Sequence, residues 1–288
     1  MADVIFEEIE CRSAIHRISA GNMPFRWALN PYRGGAPDCG YCVGDGDLGH
    51  AETRVIVKVN AAEMLRRDLS RPEWRRELVA IGTASDPYQA AELKYSLTHR
   101  LLKVMRDFAN PVSIITRSPY VVRDADVLGE LAAAAEVTVN FAVSTLDDDV
   151  WQRLEPGTAP PTQRLRAMEV LAARGIRCGL LLAPLVPGLT DDPVGLERVV
   201  EAAREHGASF VHDNVLYLKP GTREWFMPLL RDAYPHLAKR YAQLYRGPHA
   251  PRTYTQDVHR TIDDLRTRYG LMPPAALGRS AGQLQLAM

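Results

Sequence analysis

From Phe25 onward, short runs of aliphatic and β-branched residues alternate with longer stretches in which apolar residues recur at intervals of three and four. The first pattern is that of buried strands, the second that of helices with one apolar face. Strands are predicted at Phe25–Asn30, Leu78–Thr83, Val112–Arg117, Val137–Ser144, Arg177–Pro184 and Phe210–Leu218, with a further extended run at Arg54–Asn60. Helices are predicted at Ala62–Leu69, Ala91–Phe108, Ala125–Ala135, Pro161–Arg174, Gly195–His206 and Glu224–Arg231. Asp124 is placed to cap the third helix, and Gly175 and Gly207 follow the fourth and fifth as stop signals. The runs at 112–116 and 179–183 are apolar on both faces, as a parallel strand covered by helices requires.

Six successive βα units predict an α/β fold with a parallel sheet. No shift of composition marks a linker, so one domain is expected, with a segment 1–24 before it and a C-terminal extension, 234–288, that is helical over Tyr234–Tyr269 and frays after Pro273. In such folds the loops leaving the C-terminal ends of the strands converge on one face and build the site. Polar residues and prolines concentrate there, in Asn30-Pro31-Tyr32-Arg33-Gly34, Gly82-Thr83-Ala84-Ser85-Asp86-Pro87-Tyr88-Gln89, Thr116-Arg117-Ser118, Ser144-Thr145-Leu146-Asp147 and Pro184–Asp191.

The 288 residues are 46% hydrophobic and 24% charged, which excludes disorder as the main state. Thirty-five basic residues balance thirty-five acidic ones, so no net field draws the chain to nucleic acid or anionic lipid. The longest apolar run, Gly179–Leu189, is interrupted by Pro184 and Pro187 and falls short of the roughly 20 residues needed to cross a bilayer. The N-terminus lacks the basic start and apolar core of a secretion signal, so a cytoplasmic protein is expected. Four cysteines in such a chain do not make a disulfide framework. Cys39 and Cys42 form a Cys-x-x-Cys pair, whereas Cys11 and Cys178 stand alone and read as packing.

Four ordered segments carry a resemblance. Asn30–Gly34, Gly82–Gln89, Arg153-Leu154-Glu155-Pro156 and Ala183–Asp191 are together similar to the spore photoproduct lyase-like branch of the radical SAM superfamily, with Arg223–Met227 and Tyr245-Arg246-Gly247 closer to its actinobacterial members. The resemblance runs from Asn30 to Tyr254. It implies a partial (βα)6 TIM-type barrel over 25–233, a 4Fe-4S cluster, and S-adenosylmethionine cleaved reductively to a 5′-deoxyadenosyl radical with the help of an external electron donor. It leaves the substrate, small molecule or biopolymer, unspecified; kinship keeps nucleic acid open, and the balanced charge does not favour it.

In that family the cluster cysteines follow the Asn-Pro-Tyr-Arg-Gly string with spacing Cys-x3-Cys-x2-Cys, which here falls on Gly35, Cys39 and Cys42. Glycine has no side chain to coordinate iron, and two thiolates make a labile, wrongly differentiated site. The resemblance further places Tyr41 near the adenine, Gly82, Thr83, Ser85 and Asp86 at the cosubstrate's amino group, Ser144 with Thr145 at its ribose or carboxylate, and Pro187 along the adenine.

Each has a plainer reading. The segment at Gly82–Asp86 also fits a strand-to-helix turn with Asp86 as cap and Pro87 opening the next helix. Cys39 and Cys42 with His50 and Asp45 or Asp47 also fit a four-ligand zinc site. Cys11, Asp38 and His50 are the candidates for a replacement ligand. Arg117, Arg123 and Lys58 read as surface cations, Tyr88, Tyr95 and Tyr120 as packing rather than a radical relay, and Glu155 with Arg164 as an ion pair. Two functions stay open: a radical SAM enzyme, and a degenerate barrel that binds a metabolite or partner without radical chemistry.

Overall fold

The computed structural model describes residues 4–18, 25–35, 39–41 and 54–273. Its strands are β1 Ile5–Ile9, β2 Ile15–Arg17, β3 Trp27–Leu29, β4 Tyr32–Gly34, β5 Arg54–Lys58, β6 Val79–Ile81, β7 Val112–Thr116, β8 Val137–Ala142, β9 Arg177–Leu185 and β10 Ala208–Val215. Its helices are α1 Ala61–Leu69, α2 Ala90–Tyr95, α3 Leu97–Asp107, α4 Ala125–Ala132, α5 Asp148–Leu154, α6 Pro161–Ala172, α7 Pro193–Glu205, α8 Thr222–Ala233, α9 Pro235–Leu244 and α10 Arg252–Tyr269, with a 3-10 turn at Pro119–Asp124.

The six predicted core strands are β3, β6, β7, β8, β9 and β10, all parallel and adjacent in chain order, with β2 antiparallel on the β3 edge. The order is linear and does not close into a ring. Every residue of β7 and β8 is buried, as their apolar runs require. Outward-facing Ile114, Phe141, Leu180 and Val211 join Leu101, Leu128, Leu165 and Met168 of the helices in the main core. Each fully buried leucine of this kind contributes ~1.5–3 kcal/mol relative to exposure. Ile115, Ala142, Leu181 and Ala183 form a separate cluster, which marks the opposite, inner face.

Parallel sheets expose unpaired groups at their edges. At the β10 edge the C-terminal extension covers them: the Val211 amide donates to Leu271 O at 3.0 Å, and Arg266 Nε on α10 donates to Val211 O at 2.9 Å. Arg266 also pairs with Asp213 at 2.6 Å, and His259 Nδ1 lies 2.5 Å from the same carboxylate. Burial opposes the Asp213 charge, yet His259 and Arg266 together hold its carboxyl below the usual range.

Several local expectations are corrected. The segment 1–24 contributes β1 and β2, and the extra strand at Arg54 is β5, at the centre of a second sheet ordered β1-β5-β4. The helix expected over 91–108 is two helices, broken at Ser96 with φ +49°. The break follows from buried Glu92, whose carboxylate accepts the Thr98 and His99 amides at 2.8 and 3.2 Å and so caps α3 from within α2. Asp124 does not cap α4 through its side chain; its buried carboxylate takes Tyr88 Oη at 3.0 Å, His99 Nδ1 at 2.8 Å and Arg123 at 3.0 Å. Asp86 does not cap α2, which begins after Gln89. Helix α5 was not expected at all; Asp147 caps it by accepting from the Val150 amide at 3.0 Å. The helical extension after Tyr234 is found as α9 and α10, and the tail beyond 273 lies outside the described residues.

Candidate cofactor site

The C-terminal ends of β3, β6, β7 and β8 are tied into one rim by side chains of the loops that leave them. Asn30, just past β3, donates through Nδ2 to Thr83 Oγ1 at 3.1 Å and accepts the Ala84 amide at 3.0 Å. Ser85 Oγ donates to Tyr32 O at 2.7 Å. Asp86 accepts from Thr116 Oγ1, the Arg117 amide and the Tyr88 amide, at 2.7, 2.7 and 2.8 Å. Gly82 turns with φ +91°, and a Cβ there would collide with Ile115 O and with Pro87, so only glycine allows β6 to turn this close to β7. Ser144 continues the inner face of β8, is 7% exposed, and has no hydrogen-bond partner among the described residues.

Cys39 and Tyr41 are planted on this rim, 1% and 4% exposed. Their loop is anchored by the Gly40 amide, which donates to Leu154 O at 2.6 Å. Tyr41 Oη donates to Glu155, and Arg164 Nη2 lies 2.5 Å from the other oxygen of that carboxylate. Arg164 also donates to Ala142 O at 2.7 Å, so one buried guanidinium joins the end of β8 to α6 and to the cysteine loop. Arg117 completes the group: its Nε is 3.6 Å from Glu155, its Cζ stands 5.4 Å from the Tyr41 ring centroid, and its Nη1 is 3.9 Å from Cys39 Sγ.

Burial alone would raise the Glu155 carboxyl. Arg164 first, then Arg117 and the Tyr41 hydroxyl, overcome it and carry the group down to about 2. Tyr41 is pushed the other way, by burial and by the Glu155 charge, and stays a protonated donor. Cys39 is disulfide-bonded in this structure, so a role as a metal ligand requires that bond to be reduced first.

The predicted site residues thus divide. Tyr41, Thr83 and Cys39 lie in or against this rim network, as does Gly82 through its turn; both oxygens of Asp86 serve protein donors, and Pro187 O already accepts from Tyr241 Oη at 2.8 Å. Cys42, Asp38, Asp45, Asp47 and His50 lie outside the described residues. Among the described residues no three of histidine, cysteine, aspartate and glutamate are grouped to hold a metal. Gly35 is described, and a Cβ built on it would meet Gln89 Oε1 at 3.5 Å, an ordinary contact.

Arg123 is not the surface cation expected: its side chain is 24% exposed and pairs with the buried carboxylates of Glu92 and Asp124 at 2.5 and 3.0 Å, while Lys58 belongs to the second sheet. Tyr88, Tyr95 and Tyr120 are engaged by Asp124, Glu8 and Arg123. Burial pushes the Cys178 thiol up to about 12, and Cys11 Sγ donates to Asn60 at 3.3 Å, so neither is a reactive thiol. Sequence reasoning missed the joint role of Glu155, Arg164 and Arg117. The signal was the Arg153-Leu154-Glu155-Pro156 string, which carries no hint of its partner at Tyr41.

The Radical SAM superfamily profile matches residues 29–196, more than half of the chain. Uncharacterized proteins of Mycobacterium tuberculosis and Mycobacterium bovis are 35% identical over 278 residues, spanning 93% of this chain and 82% of theirs. A spore photoproduct lyase structure superposes with a TM-score of 0.70 at 14% identity, over 92% of this chain and 79% of its own. Another, holding AdoMet and dinucleoside spore photoproduct, gives 0.71 at 13% with the same coverage. At that identity the likeness is one of fold. With its profile match and its mycobacterial relatives, the chain belongs to the radical SAM superfamily and is, by resemblance, a radical SAM enzyme.

Proposed function

We propose that the rim binds S-adenosylmethionine, with Cys39 and Cys42 as thiolate ligands of an iron–sulfur cluster beside it. Bound together, these groups supply the 5′-deoxyadenosyl radical that removes hydrogen from a substrate. The observation that carries the reading is the placement of Cys39 and Tyr41, both buried, on the strand-end rim, under the fixed cation of Arg117.

The chain's own residues have definable tasks. Arg117 stands beside the Cys39 sulfur, where its charge would complement a reduced, ligating Cys39, and it stiffens the Tyr41 ring by stacking on it. Glu155 and Arg164 hold the Tyr41 hydroxyl, which leaves the ring face to pack on a flat group such as adenine. Ser144 offers an unengaged hydroxyl to a ribose or carboxylate. Gly82 lets a ligand approach the rim backbone where no Cβ stands. Gly35 limits the fit: the spacing gives two thiolates and a glycine, one thiolate short of the set that would leave one iron open. No step through a complete cluster is therefore derived for this chain.

The test is anaerobic reconstitution with iron and sulfide, followed by iron counting and electron paramagnetic resonance. Calorimetry with S-adenosylmethionine and S-adenosylhomocysteine runs beside it. The expected result is substoichiometric iron that falls further in Cys39→Ala, and weak S-adenosylhomocysteine binding that does not need iron. Calorimetry without heat at millimolar ligand would overturn the cosubstrate reading. Iron content that Cys39→Ala leaves unchanged would overturn the ligand reading.

A further inference from the structure

On the last strand of the sheet, the deeply buried carboxamide oxygen of Asn214 is left without a hydrogen-bond partner, on the same face as the His212 ring. Along β10, Asp213 points outward to Arg266 of α10. Phe210, His212 and Asn214, one residue out of phase, therefore share the inner face. The edge-on contact of the Phe210 and His212 rings, 5.2 Å between centroids, agrees. The register between β10 and β9 shifts between Asp213 and Val215, which sets Asn214 at an irregularity of the kind that re-aims side chains near sites. Inner-face neighbours Leu181 and Ala183 on β9 are apolar.

His212 is 9% exposed and Asn214 4%. Asn214 Oδ1 is buried with no hydrogen-bond partner, and the His212 ring makes no hydrogen bond among the described residues. Polar groups on the inner faces of β7 and β8 satisfy one another. Thr138 Oγ1 donates to Ser113 Oγ at 2.9 Å, and Asn140 Nδ2 donates to Ser113 Oγ at 3.0 Å and Ile114 O at 2.9 Å. A carboxamide oxygen buried without a partner calls for one supplied from outside the chain.

We propose that His212 and Asn214 are the substrate-recognition pair of the inner face, and that they take an uncharged planar amide group, –CO–NH–, of the substrate. This rests on the rim being the cosubstrate site, since that places the reacting radical at the mouth of the same face. A carboxamide presents one acceptor and two donors, which match an amide edge with two parallel hydrogen bonds. The imidazole adds one donor and one acceptor. Burial, with Arg266 behind the strand, pushes His212 down to about 4 against a weaker opposite pull from Asp213, so it is neutral at ordinary pH. The cation on this face of β9, Arg177, stacks on Phe210 at 5.4 Å at the strand end away from the rim.

An amide edge of this kind belongs to a nucleobase lactam or to a peptide bond, and the experiment separates them. Uridine and N-acetylglycine N-methylamide are titrated separately into the full chain, with the Asn214 side-chain amide and the His212 ring followed by nuclear magnetic resonance. S-adenosylhomocysteine affinity is measured on the same samples. Uridine alone shifting these signals assigns a nucleobase, the methylamide alone a peptide, and both the shared chemistry. Asn214→Leu and His212→Phe are each expected to weaken the probe about tenfold, as loss of a neutral hydrogen bond does, with S-adenosylhomocysteine affinity unchanged. The proposal is overturned if neither probe moves these signals at millimolar concentration. It is equally overturned if uridine 5′-monophosphate or N-acetylglycine binds more tightly than the neutral probes, or if the variants keep full probe affinity. Should a variant fail to fold, the wild-type shifts decide. Absence of S-adenosylhomocysteine binding to the wild type would instead sink the cosubstrate reading, and the probe shifts would still be read on their own.

Discussion

The rim beneath Cys39 and Tyr41 and the inner face of β10 are buried to a similar depth, yet their polar groups are treated in opposite ways. Glu155, 4% exposed, is surrounded by Arg164, Arg117 and Tyr41. Asn214, equally buried, keeps an oxygen with no partner. The difference follows from charge. A buried carboxylate without a partner costs several kcal/mol, so a charged site must be completed by the protein itself. A buried amide oxygen costs about 1–3 kcal/mol, which a fold can sustain until a ligand satisfies it. The chain thus fixes geometry in advance where it holds the cysteine loop, and leaves a hydrogen bond open on the inner face of β10, where the proposal places the substrate.

The sharpest way to break this contrast is Arg164→Met, which removes the cation nearest Glu155 and leaves that buried carboxylate with only the more distant Arg117 and the Tyr41 hydroxyl. Stability measured by urea unfolding is expected to fall by about 3–5 kcal/mol, the penalty of removing one partner of a buried ion pair. A loss below about 1 kcal/mol would mean that water reaches Glu155, and that the rim is no more self-contained than the β10 face. His212→Phe, by comparison, is expected to leave unbound stability nearly unchanged.

The two regions also differ in how acid should undo them. The His212 imidazole stands at about 4 in the folded chain against an ordinary 6.5, so below 6.5 the unfolded state binds the extra proton. Stability is therefore full above 6.5 and is lost as pH falls from 6.5 toward 4, by on the order of 3 kcal/mol. The Glu155 carboxyl stands at about 2 against 4.5, so its contribution is full above 4.5 and is lost between 4.5 and 2. Urea midpoints against pH should show two successive limbs. His212→Gln should flatten the upper one and Glu155→Gln the lower; if one variant flattens both, the regions are not independent.

What the chain disclosed about itself tracks the range of the interactions. The strands β7 and β8 were legible because every residue in them is buried, and that requirement is written locally. The rim segments were legible as strings at strand ends. The break at Ser96 was not, because it depends on Glu92 and on Tyr32, whose hydroxyl donates to that carboxylate from 60 residues away. Glu155 and Arg164 read as an isolated pair nine residues apart, whereas Tyr41 lies 114 residues from Glu155 and comes to it only through the fold. Asn214 and His212 were overlooked because two polar residues in an apolar strand look like tolerated exceptions until the absence of partners is seen.

A smaller effect is expected where the C-terminal extension braces the rim. Tyr241 Oη on α9 donates to Pro187 O at 2.8 Å, and Tyr254 Oη on α10 to Asp191 at 2.6 Å, so two tyrosines hold the loop after β9 from outside. Tyr241→Phe removes one neutral hydrogen bond and keeps the ring. It should cost about 0.5–1.5 kcal/mol by urea unfolding and weaken S-adenosylhomocysteine severalfold by calorimetry, without touching amide probes at Asn214. Equal weakening of both ligands would show that the two regions share one loop.

The smallest expected change in stability comes from Gly35→Cys, and it sharpens the comparison most because it asks whether the rim is complete. Gly35 does not need the left-handed conformation, and a Cβ there meets Gln89 Oε1 at 3.5 Å, so a side chain fits without moving the backbone. Replacing glycine at such a position lowers the entropy of the unfolded chain and shifts stability by less than about 1 kcal/mol. The added thiol sits four residues before Cys39 and restores the three-thiolate spacing, which leaves one iron open. Reconstituted Gly35→Cys is therefore expected to hold close to four irons per chain, bind S-adenosylmethionine more tightly than the parent, and release 5′-deoxyadenosine with a strong reductant. If the parent already holds a full cluster and cleaves S-adenosylmethionine efficiently, another group ligates the iron. Substitution of Cys11, Asp38 and His50 in turn, each followed by an iron count, would then locate it.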